Sequence, residues 1–154
     1  MIKKNKHIFC SLLLFIFLFL IDFVTKYIAS NNIEYGFNNG IEIFSFFNLT
    51  YVHNYGAAFS FLSNQDIGKY LFMFFGAAFS VYALFGIFKS KIILEKYTFS
   101  IILSGALGNL YDRVFYGYVI DFIDFDLGFY NFPVFNFADV FIFLGLFIFL
   151  FIKK

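Results

Sequence analysis

Four long apolar runs divide this sequence, and polar or charged residues gather where the runs end. A helix that crosses a membrane needs about 20 predominantly apolar residues, and each run comes close to that length. The runs predict four transmembrane helices at about residues 8–26, 70–88, 97–115 and 134–152. The pattern therefore predicts an α-helical membrane protein with a single membrane domain over residues 1–154.

Two longer connections, at about residues 27–69 and 116–133, are polar enough to lie outside the membrane. Within the first, Ile41–Val52 is rich in β-branched and aromatic residues with partial alternation, which favours short strands. Asn31 and Asn32 precede it as a turn signal. We therefore expect a small β element that rests on the membrane surface.

The composition supports a membrane protein and excludes several other classes. The chain is 62% hydrophobic and 14% charged, whereas soluble domains are about 45–50% apolar and about 25% charged. The formal net charge of +1 gives no reason to expect nucleic acid. One cysteine and two histidines exclude a disulfide framework and make a metal site unfavourable. We expect neither a metal nor a cofactor.

The lysines indicate how the chain is oriented. Those at both ends of the chain and in the short connection at 89–96 fall on one side of the predicted helices, and the longer connections contain only Lys69. The positive-inside rule therefore places both termini in the cytoplasm. A charged start followed by an apolar run could also be a cleaved signal peptide, but Ala29–Ser30 lacks the small-residue cleavage pattern. We favour a retained first helix.

The unusual polar residues converge on the outer membrane face under this topology. Asp22, Asp112–Arg113 and Asp139 occupy the outer ends of the first, third and fourth helices, and Asp121 and Asn54 lie in the outer connections. Ionisable groups beside membrane-length apolar sequence are costly, and they indicate a functional site by default.

Asp121 and Asp139 are the candidates for acid–base chemistry. Two neighbouring carboxylates cannot both ionise easily, so they share a proton, and one can activate water while the other protonates the reacting group. The same groups could form a structural network or line an ion path, so residue types alone rank a hydrolase and a small channel or transporter about equally. No internal repeat is visible, which weighs mildly against transport.

Three further residues have both a structural and a functional interpretation. Asn109 and Asn136 could position a substrate amide or simply bond two helices together. Lys26 lies four residues after Asp22, on the same helix face, and we interpret this pair as a helix-end ion pair at the membrane interface.

Five ordered motifs resemble those of the lipoprotein signal peptidases, also called signal peptidase II. The resemblance covers most of the chain, and the motifs are Asp22–Lys26, Asn54–Phe59, Gly108–Arg113, Val119–Phe122 and Pro133–Asp139. It implies four transmembrane helices, a small extracytoplasmic β element and a short surface helix.

The resemblance also implies an activity and a location. Members are aspartyl endopeptidases of the bacterial plasma (inner) membrane, with the active site facing outside the cytoplasm. They remove signal peptides from diacylglyceryl-modified prolipoproteins by cutting just before the lipidated cysteine. The implied partners are lipidated prolipoprotein signal peptides and membrane lipids, and a monomer is the simplest expectation.

The family pattern assigns roles to ten residues of this chain. Asp121 and Asp139 are expected to be the catalytic pair. The residues expected to bind or orient the substrate are Asn54, Asn109, Arg113 and Asn136. Those expected to support the structure of the site are Asp22, Lys26, Gly108 and Asp112.

Overall fold

A computed structural model describes residues 2–37, 40–56, 65–128 and 132–152, with side chains from residue 5 onward and, in the third segment, from residue 68. The described part contains four α-helices and one three-stranded sheet. In chain order these are α1 (Ile2–Asn32), β1 (Ile41–Phe44), β2 (Phe47–Asn54), α2 (Gln65–Lys89), α3 (Ile93–Phe115), β3 (Val119–Phe125) and α4 (Phe137–Phe151).

The outer surfaces of the helices are apolar, as a lipid environment requires. The stretches Asn5–Asn32 and Gly68–Lys89 are long and apolar enough to cross a membrane, and α4 is a shorter apolar helix. Large apolar side chains on these helices are exposed, among them Phe75 at 62% and Leu150 at 80%. Such exposure would be unfavourable in water and is what a lipid-facing helix needs.

Helix α3 lies at the centre of the bundle and contacts each of the other three helices. Ala83 and Ile87 of α2 pack against Phe99, Ile102 and Leu103 of α3 in the main apolar core. Small residues allow close approach on the α4 side, since a Cβ at Gly105 would collide with the backbone carbonyl of Ala138 and with the Ile142 side chain. The residues that follow this contact along α3 are therefore held close to the start of α4.

The sheet is antiparallel with the strand order β1–β2–β3. Val52 pairs with Asp121 across β2 and β3. On the other side of β3, Ile123 forms an antiparallel bridge with Phe135. Strand β3 is therefore flanked on both sides by backbone, and its residues Val119–Ile123 are buried.

The observed boundaries differ from the predicted ones at the C-terminal end of α1 and at the N-terminal ends of α2 and α4. Helix α1 continues to Asn32, and α2 begins at Gln65, so the connection predicted at 27–69 is shorter than expected. Helix α4 begins at Phe137 instead of near residue 134. The difference at α4 follows from a helix cap at Asn136, described below.

Strand β3 was not predicted. Its sequence, Val-Ile-Asp-Phe-Ile-Asp-Phe, is β-branched and aromatic and lies between Gly117 and Gly128, which are ordinary signals of a strand. The short surface helix implied by the family resemblance has no counterpart among the four described α-helices. In the predicted motif Asn54–Phe59, residues 57–59 lie outside the described residues.

Candidate active site

Asp121 and Asp139 lie near each other, where β3 passes the first turn of α4 and Asn136 bonds to both residues. Asp121 is the third residue of β3 and is 1% exposed. Asp139 is the third residue of α4 and is partly exposed. One carboxylate of this aspartate pair is therefore buried, while the other reaches a cavity.

A reciprocal capping box starts α4 and includes Asp139. Asn136 is the N-cap, and its Oδ1 accepts the backbone N–H of Asp139 at 3.0 Å. Oδ2 of Asp139 accepts the backbone N–H of Asn136 at 3.3 Å. The box satisfies two N–H groups that a helix start would otherwise leave unpaired, and it fixes the Asp139 carboxylate at the helix N-terminus.

Two asparagines hold the Asp121 carboxylate, one at each oxygen. Nδ2 of Asn136 donates to Oδ1 at 2.6 Å, and Nδ2 of Asn54 donates to Oδ2 at 2.8 Å. Asn54 is the last residue of β2, and its own Oδ1 accepts the backbone N–H of Gly56 at 2.8 Å. These contacts leave Asp121 one defined orientation.

The environment of Asp121 favours its protonated form. Burial raises the pKa of Asp121 to about 7, and the negative charge of Asp139 contributes in the same direction. The hydrogen bonds from Asn54 and Asn136 act in the opposite direction but are smaller effects. Asp121 therefore exchanges its proton near neutral pH, where an acid–base group is most useful.

Asn109 and Arg113 approach the site from α3. Nδ2 of Asn109 donates to Oδ1 of Asp139 at 2.7 Å. The guanidinium of Arg113 donates to the backbone carbonyl of Asn109 at 3.3 Å and stands 5.2 Å from the ring centre of Phe72. Neither of these contacts involves a carboxylate, and the guanidinium lines the adjoining cavity.

Two cavities flank Asp139. The main cavity, of about 600 Å³, lies between α2, α3 and α4, and Asn109, Arg113 and Asp139 supply polar groups to its wall. Aromatic residues form half of the remaining wall and include Phe72, Phe75 and Phe79 of α2. The side cavity, of about 350 Å³, lies against α4; apart from Asp139 its lining consists of Phe132, Phe135, Val140 and Phe143. Both cavities suit an apolar ligand next to a carboxylate.

The structure contains the predicted ion pair between Lys26 and Asp22, but the pair is buried, whereas a position at the membrane interface was expected. Its side chain is 3% exposed, and Nζ contacts Oδ2 of Asp22 and Oδ2 of Asp112, each at 2.8 Å. The third contact of Nζ is to Oδ1 of Asn109 at 3.0 Å. All three N–H bonds of the ammonium therefore have acceptors, which a buried cation requires.

The residues predicted to support the site join its elements together. Oδ1 of Asp22 accepts the backbone N–H of Ala138 at 2.8 Å, so α1 caps the start of α4. Oδ2 of Asp112 accepts the N–H of Ile120, next to Asp121. Gly108 faces the Asp22 carboxylate so closely that a Cβ there would collide with Oδ2.

Some residues of the site carried no signal in the sequence. The aromatic residues of α2 that line the main cavity belong to a continuous apolar run, which has no feature that separates cavity positions from lipid-facing ones. The carbonyl of Ile120, which lies 3.2 Å from Nδ2 of Asn136, is backbone and leaves no mark in a sequence. Residue types can identify the charged groups of the site, but not the apolar residues and backbone groups that surround them.

His53 lies apart from the aspartate pair, in a group of tyrosines. Its ring stacks on Tyr118 with the centres 3.6 Å apart, and Nε2 lies 2.8 Å from the hydroxyl of Tyr51. Burial lowers the pKa of His53. Within the described residues, no group of three or more His, Cys, Asp and Glu side chains has an arrangement that could hold a metal ion.

The fold and the site define an integral membrane protein with a buried carboxylate, Asp121, beside a second one, Asp139, that lines an apolar cavity. The family model for signal peptidase (SPase) II matches residues 14–153. The chain therefore belongs to the signal peptidase II family.

Individual relatives agree with this assignment. The chain is 49% identical over 134 residues to the lipoprotein signal peptidase of Vibrio parahaemolyticus serotype O3:K6, covering 84% of this chain and 79% of the relative. It is 46% identical over 137 residues to the lipoprotein signal peptidase of Psychromonas ingrahamii, covering 85% and 76%. A solved structure of a bacterial membrane enzyme, determined by the in meso method at 1.9 Å resolution, superimposes with a TM-score of 0.80 at 31% identity and 94% coverage of both chains.

Proposed function

We propose that this protein is an aspartyl endopeptidase that removes signal peptides from diacylglyceryl-modified prolipoproteins by cutting before the lipidated cysteine. The observation that carries the proposal is the Asn136 side chain, which binds Asp121 and the first turn of α4 at Asp139. It links the buried Asp121 carboxylate to Asp139, which lines an apolar cavity. Membership of the signal peptidase II family supplies the substrate class.

The aspartate pair divides the acid and base roles. Asp121 carries the shared proton at rest, because burial and the neighbouring Asp139 charge raise its pKa to about 7. Asp139 acts as the base, because its two oxygens accept N–H groups from Asn109 and Asn136 and it lies at the positive end of α4. Asp139 also reaches both cavities, where a water molecule and the substrate would meet it.

The reaction follows from this division. Asp139 takes a proton from a water molecule as its oxygen attacks the scissile carbonyl carbon, and Asp121 donates its proton to the carbonyl oxygen. Asp139 then gives its proton to the nitrogen of the lipidated cysteine as the C–N bond breaks. Asp121 recovers a proton from the hydroxyl of the intermediate. Each proton transfer contributes on the order of 10² to 10⁴ in rate.

The remaining polar residues orient the carboxylates or the substrate. Asn54, Asn109 and Asn136 orient the carboxylates, and the Arg113 guanidinium donates a hydrogen bond to a substrate carbonyl at the wall of the main cavity. Asp22, Lys26, Gly108 and Asp112 support them from behind. The four helices span the plasma membrane as a single domain, with both termini in the cytoplasm and the sheet outside. A substrate peptide bond at the outer leaflet then reaches the aspartate pair directly.

The test is the cleavage of a purified, diacylglyceryl-modified prolipoprotein in the presence of a metal chelator. Wild type, Asp121→Asn and Asp124→Asn are compared. Asp124 lies on the same strand, is partly exposed, and accepts a hydrogen bond from Thr50. Asp124→Asn therefore makes the same chemical change at a position that is not part of the aspartate pair.

We expect wild type and Asp124→Asn to cleave the lipidated substrate, and Asp121→Asn to lose at least about 10²-fold in rate, the contribution of one acid–base group. Equal cleavage by all three proteins would remove Asp121 from the mechanism. A folded wild type that cleaves no lipidated substrate would contradict the proposed activity, and ion flux through liposomes would then be measured.

A further inference from the structure

Lys26 is linked to Asp139 by two hydrogen bonds that share the side-chain amide of Asn109. Its Nζ donates to Oδ1 of Asn109 at 3.0 Å, and Nδ2 of Asn109 donates to Oδ1 of Asp139 at 2.7 Å. A counter-ion for Asp22 and Asp112 would need only its contacts to those two carboxylates. The third N–H of this buried ammonium is directed at a residue that touches the aspartate pair.

We propose that Lys26 is a positioning residue of the cleavage reaction, and that it acts on Asp139 through the side-chain amide of Asn109. The inference rests on the proposed function of the site. It assigns Lys26 a part in the chemistry in addition to its part in the structure.

The contacts allow only one orientation of the Asn109 amide. Its Oδ1 faces two donors, Nζ of Lys26 at 3.0 Å and Nδ2 of Asn136 at 3.1 Å. If the amide were turned over, its NH₂ group would face both donors, and its oxygen would face the oxygen of Asp139. Three favourable contacts would become three unfavourable ones, so the N–H of Asn109 remains directed at Asp139.

The charge of Lys26 strengthens this arrangement. A hydrogen bond with an ionised donor is roughly twice as strong as a neutral one, and linked hydrogen bonds polarise one another. The ammonium draws electron density toward Oδ1 of Asn109, which makes its N–H a better donor to Asp139. The ionised form of Asp139, which the mechanism uses as the base, is stabilised as a result.

The other charged groups near Asn109 do not replace Lys26. Asp22 and Asp112 contact Lys26 directly, and Arg113 contacts the backbone carbonyl of Asn109 instead of its side chain. Helix α2 presents aromatic residues to the main cavity at this level. The charged groups in this part of the structure are Asp22 and Lys26 on α1, Asp112 and Arg113 on α3, Asp121 on β3 and Asp139 on α4.

The experiment separates the contacts of Lys26 with Asn109 and Asp22 from its ion pair with Asp112. Replacing Lys26 alone would leave Asp22 and Asp112 buried without their cation, which is strongly destabilising. The double variant Lys26→Met/Asp112→Asn removes one charge of each sign and keeps the net charge of the three residues. The matched control, Asp112→Asn, keeps Lys26 and its bond to Asn109. For both, kcat/KM on the diacylglyceryl-modified prolipoprotein is measured from pH 5 to 9.

We expect the acid limb of the profile to move to higher pH in the double variant relative to Asp112→Asn. At pH 6 its kcat/KM should be about tenfold lower, which corresponds to one pH unit, and the two values should converge at high pH. Coinciding profiles from two folded proteins would overturn the inference and leave Lys26 as a counter-ion. If the methionine variant does not fold, Lys26→Gln/Asp112→Asn has the same charge count and is judged by the same outcomes.

The result also distinguishes this inference from the proposed function. If wild type leaves the lipidated substrate uncleaved, the proposed function fails. If wild type cleaves it and the two profiles coincide, only the role of Lys26 fails.

Discussion

Nδ2 of Asn136 donates a hydrogen bond of 2.6 Å to Oδ1 of Asp121. The oxygen of the same amide accepts the backbone N–H of Asp139 at 3.0 Å, so one planar group spans from the strand that carries one carboxylate to the helix that carries the other. Asn136 is fully buried, and its amide cannot rotate without breaking both contacts. The relative position of the two carboxylates is therefore set by a single side chain.

The stability of the protein should depend on pH through Asp121. Its pKa is raised to about 7 in the folded protein, whereas an unfolded aspartate has a pKa of about 3.9. The folded state therefore binds the proton more tightly. This contribution to the unfolding free energy is fully present below about pH 4 and is lost as the pH rises through about 7.

We therefore expect the melting temperature of wild type in detergent to fall between pH 5 and 8, and Asp121→Asn to reduce that slope. Asp124→Asn is the control and should keep the wild-type slope. An unchanged slope in Asp121→Asn would mean that Asp121 is already ionised at pH 5 in the folded protein.

Substitutions of Asp139 should affect stability as well as activity, because this carboxylate belongs to the capping box of α4. We expect Asp139→Ala to abolish cleavage and to lower the unfolding free energy by about 0.5–2 kcal/mol, the usual cost of a lost helix cap. Asp139→Glu should also lose most activity, since its carboxylate is displaced, but it should keep most of the stability because glutamate suits this capping position. Equal melting temperatures for the two variants would argue against the cap.

Gly108→Ala should destabilise the protein. The added Cβ would collide with Oδ2 of Asp22, which cannot withdraw without breaking its 2.8 Å contact with Lys26. Overpacking of this kind costs about 1–3 kcal/mol. Gly76→Ala is the control, because its Cβ would meet Leu110 at an ordinary distance of 3.7 Å. Thermal unfolding of both variants in the same detergent gives the comparison, and equal melting temperatures would contradict the predicted collision.

Arg113→Ala should weaken substrate binding more than folding. The guanidinium lies at the wall of the main cavity, and in the folded protein it contacts a backbone carbonyl and the Phe72 ring. We expect KM to rise about tenfold, because a hydrogen bond to a charged group contributes about 1.5–3 kcal/mol, while the melting temperature changes little. Lys69→Ala removes another cation near the N-terminal end of α2 and should leave KM unchanged. A folded protein lost on Arg113→Ala would indicate a structural role instead.

The charged residues of the site could be selected from the sequence because a membrane makes them conspicuous. Asp22, Asp112, Asp121 and Asp139 stand next to apolar runs, and the fold brings them together. The structure places Lys26 and the asparagines among them. The helices were predictable because long apolar runs are typical of membrane helices.

The contacts between these residues could not be predicted from the sequence. The burial of Lys26 depends on α1 lying against α3, which is a long-range contact. The capping box at Asn136 ends the extended segment before α4, but the apolar run continues past it without a break. Strand β3 has a recognisable local pattern, yet its pairing with β2 and Phe135 joins distant parts of the chain.

The Ile123–Phe135 bridge separates the aspartate pair from the exposed turn that follows β3. Two backbone hydrogen bonds join Ile123 and Phe135, and beyond them the N–H of Gly128 donates to Oδ1 of Asp126 in an exposed turn. A change confined to that turn need not be transmitted to Asp121 or Asn136. The turn is therefore a suitable attachment point for a fluorophore that reports substrate binding without disturbing the aspartate pair.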